Sequence, residues 1–362
     1  MGNDDKITAH QLAVLAFIGL LSPVIRILPR LSVSLAGSAS WLSVVPGTAA
    51  GLLYILFLKR AFKNKMPGEG LYHIIRRSAG AVGGGAAAVV SVLWLILYGG
   101  FITRAASERM LSAVYQSGTT PMFIAVILAV ALVASSGTVR ALVRTGEIVV
   151  LVILSALALV TLFSLKQVRA EFLLPVSFSD AGRIAAGALP VAEITGTGVF
   201  FYFLTGHVED GENTAKSTAR FFLLEMLCVF AVTLVTVGSF APELVLKYQS
   251  PFFMVVRNIT ALGVIERVEA LVIAMWILTD FMLLASVITV AGEIMSTLFG
   301  TKSTRLFKIL TAVACALTAL FMVRDEFTLQ MWSNFYIPGI NIAFAFIFIP
   351  AMLLIGILRK KI

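Results

Sequence analysis

The sequence predicts an all-α integral membrane protein with ten transmembrane helices, and its composition and the spacing of its apolar segments are the reasons. Hydrophobic residues make up 59% of the 362-residue chain and charged residues 13%, and the mean hydropathy is +0.98. In ordinary soluble domains charged residues make up about 25%, so the composition excludes the soluble classes. We expect recognition to take place within the membrane or at its surface.

Ten apolar segments are long enough to cross a bilayer, which takes about 20 residues per helix. Together they predict a single domain, 1–362, with a first repeat at about 8–165, a second at about 184–322 and a last helix at about 332–358. In chain order the predicted spans 1 to 10 lie at about 8–35, 40–58, 84–103, 121–138, 146–165, 184–206, 219–241, 268–298, 306–323 and 332–358.

The net charge of +9 lies mainly in short loops that flank the apolar segments. This placement is typical of the positive-inside rule and predicts that both termini are cytoplasmic. It favours the lipid bilayer over nucleic acid as the partner of the positive charge. The strongest groups are Lys59, Arg60, Lys63, Lys65, Arg76 and Arg77 in one loop and Arg359, Lys360 and Lys361 at the end.

Span 1 is predicted to be interrupted at Ser22-Pro23, because proline lacks a backbone donor and clashes with the preceding turn. An ordinary proline kink that a neighbouring helix repairs would give the same pattern. Arg26, in the same span, favours an interruption that faces protein or water, since a guanidinium deep in a membrane is costly.

Span 6 contains Pro190, Glu193 and the triplet Gly196-Thr197-Gly198 where an uninterrupted apolar helix would be expected. It opens the second half as span 1 opens the first. Interruptions at corresponding positions of two halves indicate a transporter-type binding site near the bilayer midplane. Exposed helix ends offer N–H groups to a carboxylate and carbonyls to a cation, so such a site favours a zwitterion.

The predicted ligand-binding residues lie at these two interruptions and on span 3. They are Gly19, Ser22, Pro23, Val24, Ile25, Arg26, Tyr98, Glu193, Thr195, Gly196, Thr197 and Gly198. Arg26 and Glu193 have similar predicted depths, roughly 14 Å below the outer surface at ~1.5 Å per residue. We hypothesise an ion pair between them beside the interruption, and a pair that only stabilises the fold is an equal alternative.

Thr279 and Asp280 lie well inside span 8, and an intramembrane carboxylate needs a partner or water. A cation or proton site and a helix-to-helix hydrogen bond are both consistent with the sequence. Elsewhere Gly47 and Gly51 have the GxxxG spacing of close helix packing. The glycines between 80 and 85 predict a hinge rather than a nucleotide loop, since no strand precedes them and no Lys-Ser/Thr follows.

Catalysis is not expected from this sequence. His10, His73 and His207 are scattered over loops and termini, so no metal-ligand cluster or nucleophile with a base at usable spacing is predicted. Cys228 and Cys315 lie in apolar segments, which excludes a disulfide framework. We therefore expect no enzyme activity, no cofactor and no metal.

Three motifs carry a family resemblance: Leu28-Pro29-Arg30 in span 1, Pro190 with Ala192-Glu193 in span 6, and Ile265-Glu266-Arg267-Val268-Glu269-Ala270 before Trp276 in span 8. In these motifs, and in length and charge pattern over the whole chain, the sequence resembles the spore germination permease family, the B subunits of endospore germinant receptors. It departs from the pattern at Ser22-Pro23-Val24, where related transporters place Gly-x-Gly, and at Ala192, where the family commonly has glycine.

The resemblance implies membership of the amino acid, polyamine and organocation transporter superfamily, with a LeuT-like five-plus-five inverted repeat and helices 1 and 6 interrupted. It implies a ligand cradle at 22–25 and 193–198. It also implies nutrient sensing, typically of an amino acid, in the inner spore membrane together with an A subunit and a lipoprotein C subunit. The alternatives are a proton- or sodium-coupled amino acid transporter and a structural anchor for partner subunits.

Overall fold

The structure, a computed structural model, describes residues 5–115, 117–259 and 268–361. Within these ranges the chain is helical, and its one β pairing is a single bridge between Ile7 and Val208. The end of the helix bundle that carries residues 5–8, 62–70 and 206–213 is called the N-terminal face below.

The first half of the chain contains six helices. They are α1 (Ala9–Arg26), α2 (Leu28–Ala36), α3 (Val44–Ala61), α4 (Leu71–Ala113), α5 (Thr120–Ser136) and α6 (Val139–Ser164), and a 3₁₀ helix, Gly37–Ser43, joins α2 to α3.

The second half begins after a polar connection with one short helix, α7 (Ala170–Leu173). Its helices are α8 (Ala181–Gly196), which continues as the 3₁₀ helix Thr197–His207, then α9 (Thr214–Ser239), α10 (Pro242–Lys247), α11 (Pro251–Arg257), α12 (Glu269–Phe299), α13 (Arg305–Met322) and α14 (Glu326–Leu358). Helices α13 and α14 include π-helical turns.

The predicted all-α fold with ten transmembrane helices is confirmed. Across the described ranges nine helical segments are long and apolar enough to cross a membrane, and α5 is a shorter apolar helix. The predicted opening of span 8, Ile265-Glu266-Arg267, lies outside the described residues, and α12 is described from Glu269.

Helix α4 is longer than the predicted span 3 at both ends. It bends at Gly80, whose φ of 81° is left-handed and suits a residue without a Cβ, so the predicted glycine hinge is confirmed. At its other end α4 runs past position 103 to Ala113 and carries Arg104 and Arg109 inside the helix. The predicted end at 103 was wrong, because an ion pair within the protein allows a helix to continue through charged residues.

Local sequence explains where several helices begin. Thr8 accepts a hydrogen bond from the Gln11 N–H at 3.2 Å, and the Gln11 side chain accepts one from the Thr8 N–H at 3.0 Å. This capping box satisfies two backbone donors at the start of α1. Pro29 and Pro121 lie in the first turns of α2 and α5, where the missing N–H of proline has no intrahelical partner to lose.

Helices α1 and α12 form the centre of the bundle. Helix α1 packs against α6, α9 and α12, and α12 packs against α1, α4, α5 and α13. Every residue of α12 from Met282 to Ala291 is buried, as expected for a helix that is apolar on all sides. The outer helices expose large apolar side chains, including Val133 (73%) on α5 and Leu162 (62%) on α6, a surface that lipid covers.

The predicted GxxxG packing of span 2 is confirmed on α3. A Cβ at Gly47 would lie 2.6 Å from the Val191 side chain on α8, and a Cβ at Gly51 would lie 2.1 Å from the Phe222 ring on α9. The missing side chains therefore allow α3 to contact both second-half helices directly.

We predict that Gly51→Ala lowers the free energy of unfolding by about 1–3 kcal/mol, the usual cost of an added methyl group in a packed core. The measurement is thermal unfolding of the purified protein in detergent. Gly339→Ala on α14 is the matched control, because no atom lies within 4 Å of its added Cβ and alanine is the better helix former. A Gly51→Ala protein as stable as Gly339→Ala would contradict the packing assignment.

Candidate functional site

The interruption of predicted span 1 lies at Ile27, between α1 and α2, four residues after the predicted position at Ser22-Pro23. Helix α1 continues through Pro23, because the Ile27 N–H donates to the Pro23 carbonyl at 3.1 Å, and it ends at Arg26. Proline disturbs only the turn that precedes it, so the helix re-forms after Pro23. A new helix begins at Leu28 with Pro29 in its first turn.

A buried polar cluster joins α1, α4 and α12 beside this interruption. The Ser22 hydroxyl donates to Asp280 Oδ1 at 2.5 Å, and Arg109 forms an ion pair with Asp280 Oδ2. The Arg109 guanidinium also lies 5.8 Å from the centre of the Trp276 ring, within cation–π range. Of the two interpretations of Asp280, a bond between helices is the one observed.

Arg26 belongs to the same cluster and leaves it with excess positive charge. Arg26 is 6% exposed and Arg109 8%, and Arg26 lies within electrostatic range of both Arg109 and Asp280. Two guanidinium groups thus face one carboxylate. Among the described residues Nε and Nη2 of Arg26, and Nε and Nη1 of Arg109, are buried without a hydrogen-bond partner.

Both arginines line a cavity of about 120 Å³ on the side of the bundle away from the N-terminal face. We call it the Arg26 cavity. It reaches the surface beside Gln249 and Glu326, two exposed residues joined by a hydrogen bond. Buried, unpartnered guanidinium donors at its floor make it suited to a carboxylate, because an arginine fork binds the two carboxylate oxygens with parallel hydrogen bonds.

Glu193 is the second buried acid near the interruptions, and its partner is on the last helix. Asn341 on α14 donates to Glu193 Oε1 at 2.5 Å, and the Trp94 indole donates to Asn341 Oδ1 at 3.1 Å. The Trp94 ring stacks on Tyr98 and on Phe344, with ring centres 5.2 and 4.1 Å apart. The chain Trp94–Asn341–Glu193 therefore connects α4, α14 and α8.

The predicted ion pair between Arg26 and Glu193 was wrong: the ion pairs among the described residues do not include it. Glu193 faces α14, whereas Arg26 faces α4 and α12, because the two helices present these positions to different neighbours. Tyr98, the predicted site residue on α4, stacks on Trp94, which belongs to the hydrogen-bonded chain of Glu193.

The remaining predicted site residues lie either in the packed core or in the wall of a cavity. Val24, Ile25 and Pro23 are buried, and the Thr279 hydroxyl donates to carbonyls of its own helix. Thr197 does the same with Ile194 at 2.6 Å.

Residues at the interruption of predicted span 6, where α8 passes into the 3₁₀ helix Thr197–His207, line a different cavity from the Arg26 cavity. They are Thr195, Gly196 and Gly198. A Cβ at Gly196 would lie 2.4 Å from the Phe346 ring, and Gly19 is similarly packed against Phe201. These two glycines permit close packing, so a larger side chain there would test the packing rather than a ligand.

Sequence reasoning missed Arg109 and Glu225. Arg109 lies beyond the predicted end of span 3, so it was assigned to a loop. Glu225 is a buried acid on α9, 2% exposed, and the signal that would have found it is an acid within the apolar run 219–241.

The N-terminal face is closed by the first described residues. The Ile7 N–H donates to the His207 carbonyl and the Glu209 N–H to the Ile7 carbonyl, both at 3.0 Å. The Ala9 N–H donates to Asp210 at 2.6 Å, and His207 contacts Glu293 on α12 at 2.9 Å. Residues 5–9 are therefore fixed across the ends of the 3₁₀ helix Thr197–His207 and α12.

No group of three His, Cys, Asp or Glu side chains that could hold a metal ion is found within residues 5–115, 117–259 and 268–361. The site offers charge and hydrogen-bond donors, with the buried guanidinium groups of Arg26 and Arg109 in one cavity wall and a buried acid at Glu193.

We predict that Asp280→Asn lowers the free energy of unfolding by about 3–5 kcal/mol, because it leaves two buried guanidinium groups without a counter-charge, and that Arg109→Gln lowers it by less, because Arg26 still faces Asp280. The double variant is expected to lose less than the sum, because only Arg26 is then left without a counter-charge. Thermal unfolding of the purified variants measures the coupling. The control is the exposed pair Lys6–Glu209, with a coupling of ~1 kcal/mol or less. Additive losses at Arg109 and Asp280 would contradict the ion pair.

Comparison with known proteins extends these observations. The model of the spore germination protein family matches residues 6–327, and no curated protein matches the chain. MhsT in complex with L-phenylalanine is similar with a TM-score of 0.71 and 13% identity, over 98% of this chain and 89% of MhsT.

Two other solved transporters are similar over nearly the whole chain. A Na⁺-coupled sialic acid symporter in a substrate-bound, outward-open state has a TM-score of 0.67 and 13% identity, over 95% of this chain and 80% of its own. MHP1, a nucleobase-cation-symport-1 family transporter in a closed conformation, has 0.59 and 14%, over 96% and 82%. Identities this low establish the fold alone, and the predicted LeuT-like fold with helices 1 and 6 interrupted is confirmed.

Proposed function

The chain belongs to the spore germination protein family, and on that premise we propose that it is the membrane subunit of a germinant receptor that binds a small nutrient, an amino acid, and triggers germination. Family and fold make it a transporter-like membrane protein rather than an enzyme. The observation that carries the proposal is the pair of buried arginines with unpartnered donors at the floor of the Arg26 cavity.

A carboxylate is the ligand group that best complements this floor. It would neutralise the charge that Asp280 leaves uncompensated and accept hydrogen bonds from the guanidinium nitrogens. The ligands named for two structural neighbours, L-phenylalanine and sialic acid, both carry a carboxylate, which supports this choice. The cavity of about 120 Å³ is lined by a few side chains of α1, α4 and α14, which favours a small ligand.

The ammonium group of the ligand has a counter-charge in Glu193. Glu193 is not among the residues that line the Arg26 cavity, so this contact requires the ligand to extend beyond the cavity. An interaction with Glu193 requires the ligand to approach Asn341, which donates a hydrogen bond to the Glu193 carboxylate.

The proposal includes a location and partners, which family membership supports. The protein works in the inner spore membrane with an A subunit and a C subunit, and both termini are cytoplasmic. Lysines on the N-terminal face support this orientation, because Lys59, Lys63 and Lys65 line one cavity there and positive charge gathers on the cytoplasmic side.

We predict that a screen of amino acids, sugars and nucleosides finds amino acids that raise the melting temperature of the purified protein. A ligand at 100 times its Kd stabilises by about 2.7 kcal/mol. Arg26→Gln is expected to abolish this shift, because it removes the carboxylate partner, and Glu193→Gln to weaken it while keeping an acceptor for Asn341. In spores both variants are expected to insert into the membrane without responding to the amino acid.

Arg183→Gln is the control for this experiment, because Arg183 has a side chain 74% exposed and is not among the residues that line the Arg26 cavity. Stabilisation by sugars or nucleosides alone would contradict the proposed ligand class. Normal germination of Arg26→Gln and Glu193→Gln spores would remove the site assignment.

A proton- or sodium-coupled amino acid transporter is the second candidate, because a Na⁺-coupled symporter shares the fold. Sodium at Thr279 and Asp280 is disfavoured by the contacts: the Thr279 hydroxyl bonds its own helix and Arg109 already supplies a positive charge to Asp280.

We predict that the protein alone in liposomes does not accumulate labelled amino acid when a proton or sodium gradient is applied. A receptor needs only binding and a conformational change, whereas accumulation against a concentration gradient requires that ligand movement is coupled to the movement of an ion. The matched control is the same liposome without a gradient. Robust, gradient-dependent accumulation would overturn the receptor proposal in favour of the transporter.

A further inference from the structure

A second cavity, of about 60 Å³, lies between α1, α3, α9 and the 3₁₀ helix Thr197–His207. We call it the Glu225 cavity. It shares no lining residue with the Arg26 cavity, so the two are separate. Its walls are mostly apolar, with side chains that include Leu12, Phe17, Leu20, Ile55, Phe222 and Phe346.

Glu225 is the acid in this apolar wall. The residue is 2% exposed, and its Oε1 atom has no hydrogen-bond partner among the described residues. The described residues that line the cavity include no Lys, Arg, His or Asp, so nothing in the wall neutralises a charge on Glu225.

The other polar groups that face the cavity are uncharged hydroxyls. Tyr54 on α3 donates to the Ala345 carbonyl at 2.6 Å, and Thr195 donates to the Val191 carbonyl at 2.8 Å. The Tyr202 hydroxyl lies near Thr218 without a hydrogen bond of normal geometry. On α9 itself the nearest titratable group is Cys228, also buried.

A bare carboxylate in this position would cost several kcal/mol, because it has left water without gaining a counter-charge. Either a metal cation or a proton can remove that cost. Metal cations such as Mg²⁺ and Ca²⁺ take about six oxygen ligands, whereas the fully buried side-chain oxygens without a partner in this wall, among the described residues, are Glu225 Oε1 and the Tyr202 hydroxyl. A proton needs Glu225 alone, so the apolar wall favours a proton.

The Glu225 cavity has a neighbour that leads to solvent. Tyr202 and Leu58 line both this cavity and a larger one of about 920 Å³ on the N-terminal face. Glu225 lies roughly 16 Å along α9 from its first residue, Thr214, at ~1.5 Å per residue. A hydroxyl on the boundary between the two cavities can accept and donate protons, so Tyr202 is placed to pass them inward.

We propose that Glu225 is an intramembrane proton-binding site that exchanges protons with the N-terminal face past Tyr202. The carboxylate takes one proton from water in the larger cavity and becomes a neutral acid, and release returns the proton by the same route. Because Thr195, Gly196 and Gly198 also line the cavity, the bound proton lies against the interruption of helix 6. The proposal is independent of the nutrient and of the Arg26 cavity.

Infrared difference spectroscopy of the purified protein in lipid nanodiscs tests the proposal. The wild type is expected to show a carbonyl band of a protonated carboxylic acid that shifts in D₂O, and Glu225→Gln is expected to lose that band. Glutamine has nearly the same shape as the neutral acid, so we expect Glu225→Gln to fold with a melting temperature close to that of the wild type.

Two comparison variants assign the band. Glu209→Gln, at an exposed acid on the N-terminal face, is expected to leave it unchanged. A band that persists in Glu225→Gln and disappears in Glu193→Gln would overturn the proposal, as would the absence of any such band in the wild type.

The metal-cation interpretation gives a different result. It predicts that NaCl raises the melting temperature above that in N-methyl-D-glucamine chloride for the wild type and not for Glu225→Gln, and this result would overturn the proton site.

The proton route is tested separately with Tyr202→Phe. This variant is expected to keep the carboxylic acid band and to slow its shift in D₂O. An unchanged rate in Tyr202→Phe would refute the passage past Tyr202.

Discussion

The ion pair between Arg109 and Asp280 is the interaction on which the architecture of the site depends. It joins α4 to α12, and the Ser22 hydroxyl adds α1 to the same carboxylate. Charged and polar groups buried in a membrane protein are costly to leave without a partner, so these contacts fix the rotation of the three helices. One carboxylate shared in this way leaves Arg26 with donors that lack a partner among the described residues, and these donors are the basis of the proposed carboxylate site.

Two buried acids near α8 and its 3₁₀ continuation lie in different environments. Glu193 lies in a chain of hydrogen bonds with Asn341 and Trp94, whereas Glu225 faces apolar side chains and an unpartnered hydroxyl. The two acids have similar burial, yet a network holds the first in a fixed geometry and nothing compensates the second. Burial alone does not decide what an acid does, because its function depends on which donors and charges surround it.

Composition and segment length were enough to predict an all-α membrane protein with ten helices, because a bilayer admits few solutions for a chain this apolar, whereas the LeuT-like arrangement was predicted from the family resemblance. Pro23 and the Gly196-Thr197-Gly198 triplet marked the two interrupted helices, although the first interruption lies at Ile27. Partners across helices could not be predicted. Whether Glu193 meets Arg26 or Asn341 depends on helix rotation and tilt, which side-chain packing determines. Arg109 was missed because a charged residue after an apolar run is typical of a loop. Its ion pair with Asp280, a residue distant in sequence, is what allows the helix to continue.

Two backbone hydrogen bonds join Ile7 to His207 and Glu209, so residues 5–9 must be displaced whenever the N-terminal face opens. Opening the N-terminal face would break these two backbone hydrogen bonds and the one from Ala9 to Asp210, at roughly 1 kcal/mol each. Separating residues 5–9 from the N-terminal face would thus have a threshold of a few kcal/mol, of the same order as the ~5.5 kcal/mol that takes a two-state equilibrium from 1:99 to 99:1. A protein that captured residues 5–9 would lower this threshold without touching the ligand.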